Sequence, residues 1–280
     1  MSVLAISAAD YHADAVADQP TLSASIAKIL VSASPAHAWQ EHPRLNPNYV
    51  RKTEDKFQLG TAAHAWLLEG SNSLVIVDAK DWTTKDARKQ RDDAQAVGQT
   101  VLLGKQWDEV EAMVKAAHEQ LAVHEAQPPL FQDGVAEGTL VWEEDGVWLR
   151  CRPDWLHNDH ATIDDYKTTK ASARPGSFER TLYSMNYQIQ AAFYRRGVKA
   201  LLGVDPAFRF CVQEVTPPYV LSVFDLDPAG VALGEDQVQQ AIDLWRGCIE
   251  TGEWPGYDRR VATAELPAWV EAQWMERQDV

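Results

Sequence analysis

Residues Val147–Thr169, VWLRCRPDWLHNDHATIDDYKTT, decide how the rest of the chain is read. Val147–Leu156 reads as a strand, and the polar run His157-Asn158-Asp159-His160 as a turn that returns the chain alongside it. Residues two apart on a strand share a face, so Asp165 and Lys167 project together while Asp164 and Tyr166 point the other way. Asp154 then stands opposite Asp165. Two carboxylates this close repel unless a cation lies between them, and hard oxygen ligands suit Mg²⁺, with Mn²⁺ as a substitute. Such an ion polarises a phosphate oxygen and acidifies a bound water, while Lys167 offsets the negative charge that develops on phosphorus. Taken alone, D-x10-D-x-K also describes a surface hairpin with ordinary acidic residues and a salt-bridged lysine.

Upstream, Asp145-Gly146 is a two-residue hairpin signal joining the strands Glu137–Glu144 and Val147–Leu156, so Glu137 and Asp154 lie near one end of a hairpin. Helices are expected over Ser23–Val31, Leu59–Leu68, Lys85–Val97 and Gln106–Leu121, with a short strand at Leu74–Val77. Gly60 costs helix propensity but allows close packing near the site. Downstream, one helix is expected over Ser177–Leu202, placing Gln190 and Tyr194 four residues apart on one face. A buried glutamine is expensive unless its amide is paired, which favours a site role for Gln190. Two strands, Ala207–Glu214 and Tyr219–Leu226, and a helix over Leu233–Ile249 complete an α/β chain with a mixed sheet flanked by helices.

Taken in order, these segments resemble the PD-(D/E)XK nuclease superfamily, and within it the RecE-type (exonuclease VIII-like, phage-type) exonucleases and the related RecB nuclease domains. Thr21–Trp39 is similar to the serine-bearing opening helix, and GTAAHAWLLEG (60–70) to the histidine helix. Ala136-Glu137 with Cys151-Arg152-Pro153-Asp154 is similar to the glutamate and RPD strands, IDDYKTT (163–169) to the D-x-K strand, and Gln190 with Tyr194 to the Q-x3-Y motif. Pro217-Pro218-Tyr219 and Glu253-Trp254-Pro255-Gly256-Tyr257 are similar to the C-terminal region. The resemblance implies a restriction-endonuclease-like core in a single elaborated domain, with a helical portion over about 1–130 and the catalytic sheet and C-terminal helices over about 131–280. It implies metal coordination by His64, Asp154, Asp165 and the Tyr166 carbonyl, with Lys167 as catalytic lysine. Glu137 would support a second metal or a ligating water, and Gln190 and Tyr194 would shape the site. The implied activity is Mg²⁺-dependent, ATP-independent exonucleolytic resection of linear duplex DNA, 5′ to 3′, leaving single-stranded tails for recombination. A homo-oligomeric ring, as a tetramer, and a RecT-type annealing protein come with the same resemblance. A Cas4- or RecB-like endonuclease and a non-catalytic DNA-binding scaffold are the alternatives.

Forty-one acidic against 26 basic residues give a net charge of −15, a field that repels a polyanion at long range. Local placement then matters more than the sum. Arg150 and Arg152 flank the site strand, and Lys170, Arg174 and Arg180 follow the D-x-K triplet; Arg150, Arg152, Lys170 and Arg180 are the DNA-binding candidates. Lys85, Arg88, Lys89 and Arg91 form a further cluster, although Asp86, Asp92 and Asp93 interleave it as on an exposed helix. Cys151, Cys211 and Cys248 are widely spaced and make no C-x-x-C pair, which argues against zinc and iron–sulphur sites and for a reducing compartment. No secretory signal, no apolar run of membrane-spanning length and no G-x4-G-K-[ST] is visible, so a cytoplasmic enzyme without a nucleotide motor is expected.

Overall fold

The computed structural model describes residues 6–50, 59–70, 74–97 and 99–276. The chain opens with α1 (Ala8–His12), β1 (Leu22–Ser23), α2 (Ala24–Ser32) and α3 (Pro35–Gln40). Next come α4 (Leu59–Glu69), β2 (Leu74–Val77), α5 (Lys85–Ala96), β3 (Thr100–Leu103) and α6 (Gly104–Leu121). The central part is β4 (Gly134–Ala136), β5 (Leu140–Glu144), β6 (Val147–Cys151), β7 (Trp155–His157) and β8 (Thr162–Thr169). It is followed by α7 (Phe178–Ser184), α8 (Tyr187–Leu202), β9 (Ala207–Glu214), β10 (Leu221–Phe224), α9 (Pro228–Thr251) and α10 (Ala268–Glu276).

Of the two strands expected on either side of Asp145-Gly146, Val147–Leu156 is broken into β6 and β7, while the other starts only at Leu140, with the unexpected β4 lying beyond a break at the same level. Pro153 has no N–H to give to a ladder, and Glu137, opposite the next residue Asp154, takes a left-handed backbone, φ 53°. The Glu137 amide donates to the Asp154 carbonyl across the break, at 3.1 Å. Register survives it: Leu140 pairs with Cys151 above and Ala136 with Trp155 below, with residues 137–139 and 152–154 between. The upper half of this ribbon joins β1 in a sheet of order β1-β6-β5, and the lower half enters a sheet of order β10-β9-β8-β7-β4. Glu137 and Asp154 therefore stand where the ribbon passes from one sheet to the other.

β8 runs antiparallel to β7 and parallel to β9. One apolar cluster packs Ile163, Phe208 and Phe210 against α2, α8 and α9 through Leu30, Ile189, Phe193, Ile242 and Trp245. A second packs Tyr166 and Cys211 against α4 and α6 through Ala62, Ala63, Met113 and Val114. Helices thus cover both faces, and each large side chain so buried contributes about 1.5–3 kcal/mol. On the α4 side the approach is close, because a β-carbon added at Gly60 would run into the Thr168 hydroxyl.

The helix expected over Ser177–Leu202 is two helices, since Asn186 adopts φ 53° and starts α8 afresh at Tyr187. α9 begins five residues earlier than the periodicity suggests, because Asp227 caps it through the Gly230 amide at 2.7 Å and Pro228 takes the first turn. The three cysteines are buried and unbridged. Among the described residues no helix is long and apolar enough to cross a membrane.

Candidate metal centre

α4 is a short, largely apolar helix whose histidine is aimed at the break in the ribbon. His64 Nε2 lies 3.1 Å from Asp154 Oδ2 and 3.8 Å from Glu137 Oε1. One ligand-capable atom from each of His64, Glu137 and Asp154 falls within 4.8 Å of the others. Arg152 holds the far side of Glu137, with Nε donating to Oε2 at 2.6 Å. Asp154 Oδ2 accepts from the Tyr166 amide at 2.8 Å. The N–H and C=O of one strand residue point to the same edge, so the Tyr166 carbonyl is directed to this edge as well.

Asp165 and Lys167 share the opposite face of β8, as strand parity requires. The Lys167 ammonium pairs with Asp165 Oδ1, and Gln190 Nε2 on α8 donates to Asp165 Oδ2 at 2.6 Å. Oδ1 receives no aligned hydrogen-bond donor, although the ammonium lies against it. Lys167 Nζ lies 5.4 Å above the Tyr187 ring, and Lys28 Nζ of α2 lies 4.8 Å from the same ring. Tyr194, one turn beyond Gln190, is buried with its ring 6.1 Å from that of Phe208.

Burial and charge pull these groups apart in proton affinity. Burial, reinforced by repulsion from Asp154, pushes the Asp165 carboxyl up to about 6 against the pull of Lys167. Burial and Asp154 likewise raise Glu137, with the Arg152 hydrogen bond opposing. For His64, burial disfavours the charged ring, but Asp154 and Glu137 outweigh it and raise its pKa. Asp154 is lowered despite its burial, because His64, Lys167 and the Tyr166 amide all favour its anion. Lys167 is raised by Asp165 and Asp154 against the cost of burying it. Lys28 is lowered to about 8, by burial first and then by Lys167.

This donor set fits a divalent cation. It offers imidazole and carboxylate oxygens at one point, crowded carboxylates whose repulsion a cation would relieve, and a buried oxygen, Asp165 Oδ1, without an aligned donor. Sequence reasoning is reordered in one respect. The three tightly gathered ligand atoms belong to His64, Glu137 and Asp154, while Asp165 is turned to Lys167 and Gln190.

Two of the four expected DNA contacts are corrected. Arg150 is buried, ion-paired with Asp14 and bonded to Thr21, so it cannot reach a ligand at the surface. Arg152 is taken up by Glu137, the Ile6 carbonyl and the Thr139 hydroxyl. Lys170 and Arg180 are exposed. In the α5 cluster Arg91 pairs with Asp92 and Arg88 donates to the Thr83 carbonyl, leaving Lys85 and Lys89 on the open face. Lys28 and Tyr187 escaped notice in the sequence; the one available signal was a lysine inside the apolar run Ser25–Val31.

The fold and this cluster define a PD-(D/E)XK-type domain. The chain belongs to the family described as a PDDEXK-like domain of unknown function (DUF3799), whose model matches residues 23–265. Among solved structures, the Eubacterium rectale protein named "Putative exonuclease" superposes over 96% of this chain and 98% of its own, at 11% identity and a TM-score of 0.62. That likeness shows the fold. The structure of SSO0001 aligns over 77% of this chain and 84% of its own at 11% identity, but its TM-score of 0.25 is too low to bear on the fold. No curated protein sequence matches the chain.

Proposed function

We propose that this protein is a divalent-metal-dependent deoxyribonuclease that degrades linear duplex DNA from its ends. The observation that carries the reading is the meeting of His64, Glu137 and Asp154 at one edge of β8 with the Asp165–Lys167 pair immediately beside them. A structural hairpin has no use for three buried or half-buried carboxylates within reach of one another. The Eubacterium rectale relative's name and the resemblance of the D-x-K, histidine and Q-x3-Y segments to RecE-type enzymes favour exonucleolytic attack. With these come 5′-to-3′ polarity, single-stranded tails for recombination, Mg²⁺ as the working ion, a ring-shaped homo-oligomer, a RecT-type annealing partner and a cytoplasmic setting.

His64, Glu137, Asp154 and Asp165 are the residues that would hold the ion, with the Tyr166 carbonyl directed to the same edge. When bound, the ion would polarise a phosphate oxygen and acidify a coordinated water. The rest falls to the chain. Lys167 is charged and fixed, so it can orient the attacking water and stabilise negative charge as it develops, without reorganising. Gln190 keeps the Asp165 carboxylate from rotating, because its amide is bonded to Oδ2. Lys28, beside Lys167 over the Tyr187 ring, adds positive potential where a scissile phosphate would lie.

Digestion of linear duplex labelled at the 5′ or the 3′ end, with closed circular duplex in parallel, tests the proposal. Mg²⁺-dependent loss of the linear form with survival of circles is expected, and Asp165→Asn should abolish it. Rapid nicking of circles would replace exonuclease by endonuclease, and unimpaired digestion by Asp165→Asn would refute the site.

A further inference from the structure

Ile6–Asp18 precede the span that the family model matches, yet they reach the candidate metal centre from behind. Arg152, whose Nε holds Glu137, gives Nη1 to the Ile6 carbonyl at 2.9 Å and to the Thr139 hydroxyl at 3.0 Å. Tyr11 on α1 lies against the guanidiniums of both Arg150 and Arg152, with its ring centre 5.3 and 6.0 Å from their central carbons.

The segment is fastened at its other end. Asp14 is fully buried, ion-paired with Arg150, and accepts from the Thr21 amide at 3.0 Å and hydroxyl at 2.6 Å. Arg44 donates to the carbonyls of Asp14, Ala17, Asp18 and Gln19 at 2.6–3.3 Å. His42 Nε2 lies 3.4 Å from Asp14 Oδ2. These bonds make the segment a clasp with a fixed path, not a loose tail.

We infer that Tyr11, with the Ile6 carbonyl, is a positioning group for Glu137: it fixes the plane of the Arg152 guanidinium, and Arg152 in turn aims the Glu137 carboxylate at His64 and Asp154. This rests on the metal-centre reading above. Glu137 has reason to need such a hold. Its backbone is left-handed at φ 53°, its carboxylate faces that of Asp154 across a half-buried gap, and its flexible side chain would otherwise turn to water. A planar guanidinium directs a carboxylate only when its own plane is held, and an aromatic face with a carbonyl acceptor does that.

The test is calorimetric titration of Mn²⁺ into the intact protein, which needs no nuclease turnover. Tyr11→Ala should weaken Mn²⁺ binding by about tenfold or more, the scale of losing an outer-shell partner. Tyr11→Phe, which keeps the ring, should bind within about twofold of wild type. Tyr11→Leu keeps apolar bulk without an aromatic face and replaces the alanine variant if that one fails to fold; it too should lose affinity. In a Glu137→Gln background the Tyr11 substitutions should cost nothing further, because the group they position is already gone. Wild-type affinity in folded Tyr11→Ala or Tyr11→Leu overturns the inference, as does an equal loss with and without Glu137. A wild-type protein that binds no Mn²⁺ removes the metal centre itself and this inference with it.

Discussion

Asp164 and Asp165 are consecutive on β8 and both are 0% exposed, yet the two faces of the strand treat them in opposite ways. On the α6 side Asp164 is saturated: Arg209 Nε donates to Oδ1 at 2.6 Å, while Oδ2 meets the Phe131 amide at 3.0 Å and His157 Nε2 at 2.8 Å. On the α8 side Asp165 has one glutamine amide and one ammonium, and a pKa raised to about 6 by burial and by Asp154. Burial alone does not separate a structural carboxylate from a reactive one. Completeness of its hydrogen bonding does, since a carboxylate that the fold fully satisfies has nothing left for a ligand.

That contrast breaks most sharply at the reactive face. Lys167→Ala should lower Mg²⁺-dependent cleavage of linear duplex by about 10²–10³-fold, the scale of losing one fixed charge-stabilising group. Its urea midpoint should fall only modestly, because Asp165, its carboxyl already raised to about 6 by burial, takes up a proton once the ammonium is gone and keeps its Gln190 bond. Asp164→Ala should act on stability instead. It strands Arg209 in the interior, so urea unfolding should show a loss of about 3–5 kcal/mol, with cleavage by the remaining folded protein largely kept. If Asp164→Ala were as stable as wild type and inactive, the two faces would have exchanged roles.

Protons sharpen the comparison further. Asp165 near 6, Glu137 raised and His64 raised must each be deprotonated to bind a cation, so lowering the pH makes protons compete. Calorimetric Mn²⁺ affinity should therefore fall by about tenfold or more from pH 7.5 to 5.5, and a pH-independent affinity would argue that these groups do not bind it. The smallest effect is expected at Gly60→Ala, where a methyl group meets Thr168 on the α4 side; better helix propensity offsets part of that clash, and thermal unfolding should register a loss of about 1 kcal/mol.

Much of this was legible in the chain because strand parity is rigid. Asp165 with Lys167 on one face, Asp164 on the other, and Asp154 opposite Asp165 follow from a period of two and one turn. Gln190 was legible too, since a polar amide in an apolar helix needs a partner. What escaped has one physical source: backbone breaks that propensity does not mark. Pro153 was read through as part of one strand, and the left-handed turn at Glu137 has no mark in the sequence, so β6 and β7 were taken as one strand and β4 was missed. The turn at Asn186, which starts α8 at Tyr187, was hidden in the same way. Arg150 and Arg152 were misassigned because a cation beside a candidate site looks alike in sequence whether it faces solvent or a buried Asp14.

The central claim is that these side chains converge on a cation beside Lys167. Crystals grown with Mn²⁺ and measured at its absorption edge test it most directly. The account predicts an anomalous peak bounded by His64, Glu137 and Asp154 with Asp165 at its margin, lost in Asp154→Asn. Ordered crystals with no peak there, or a peak held by other residues, would contradict it.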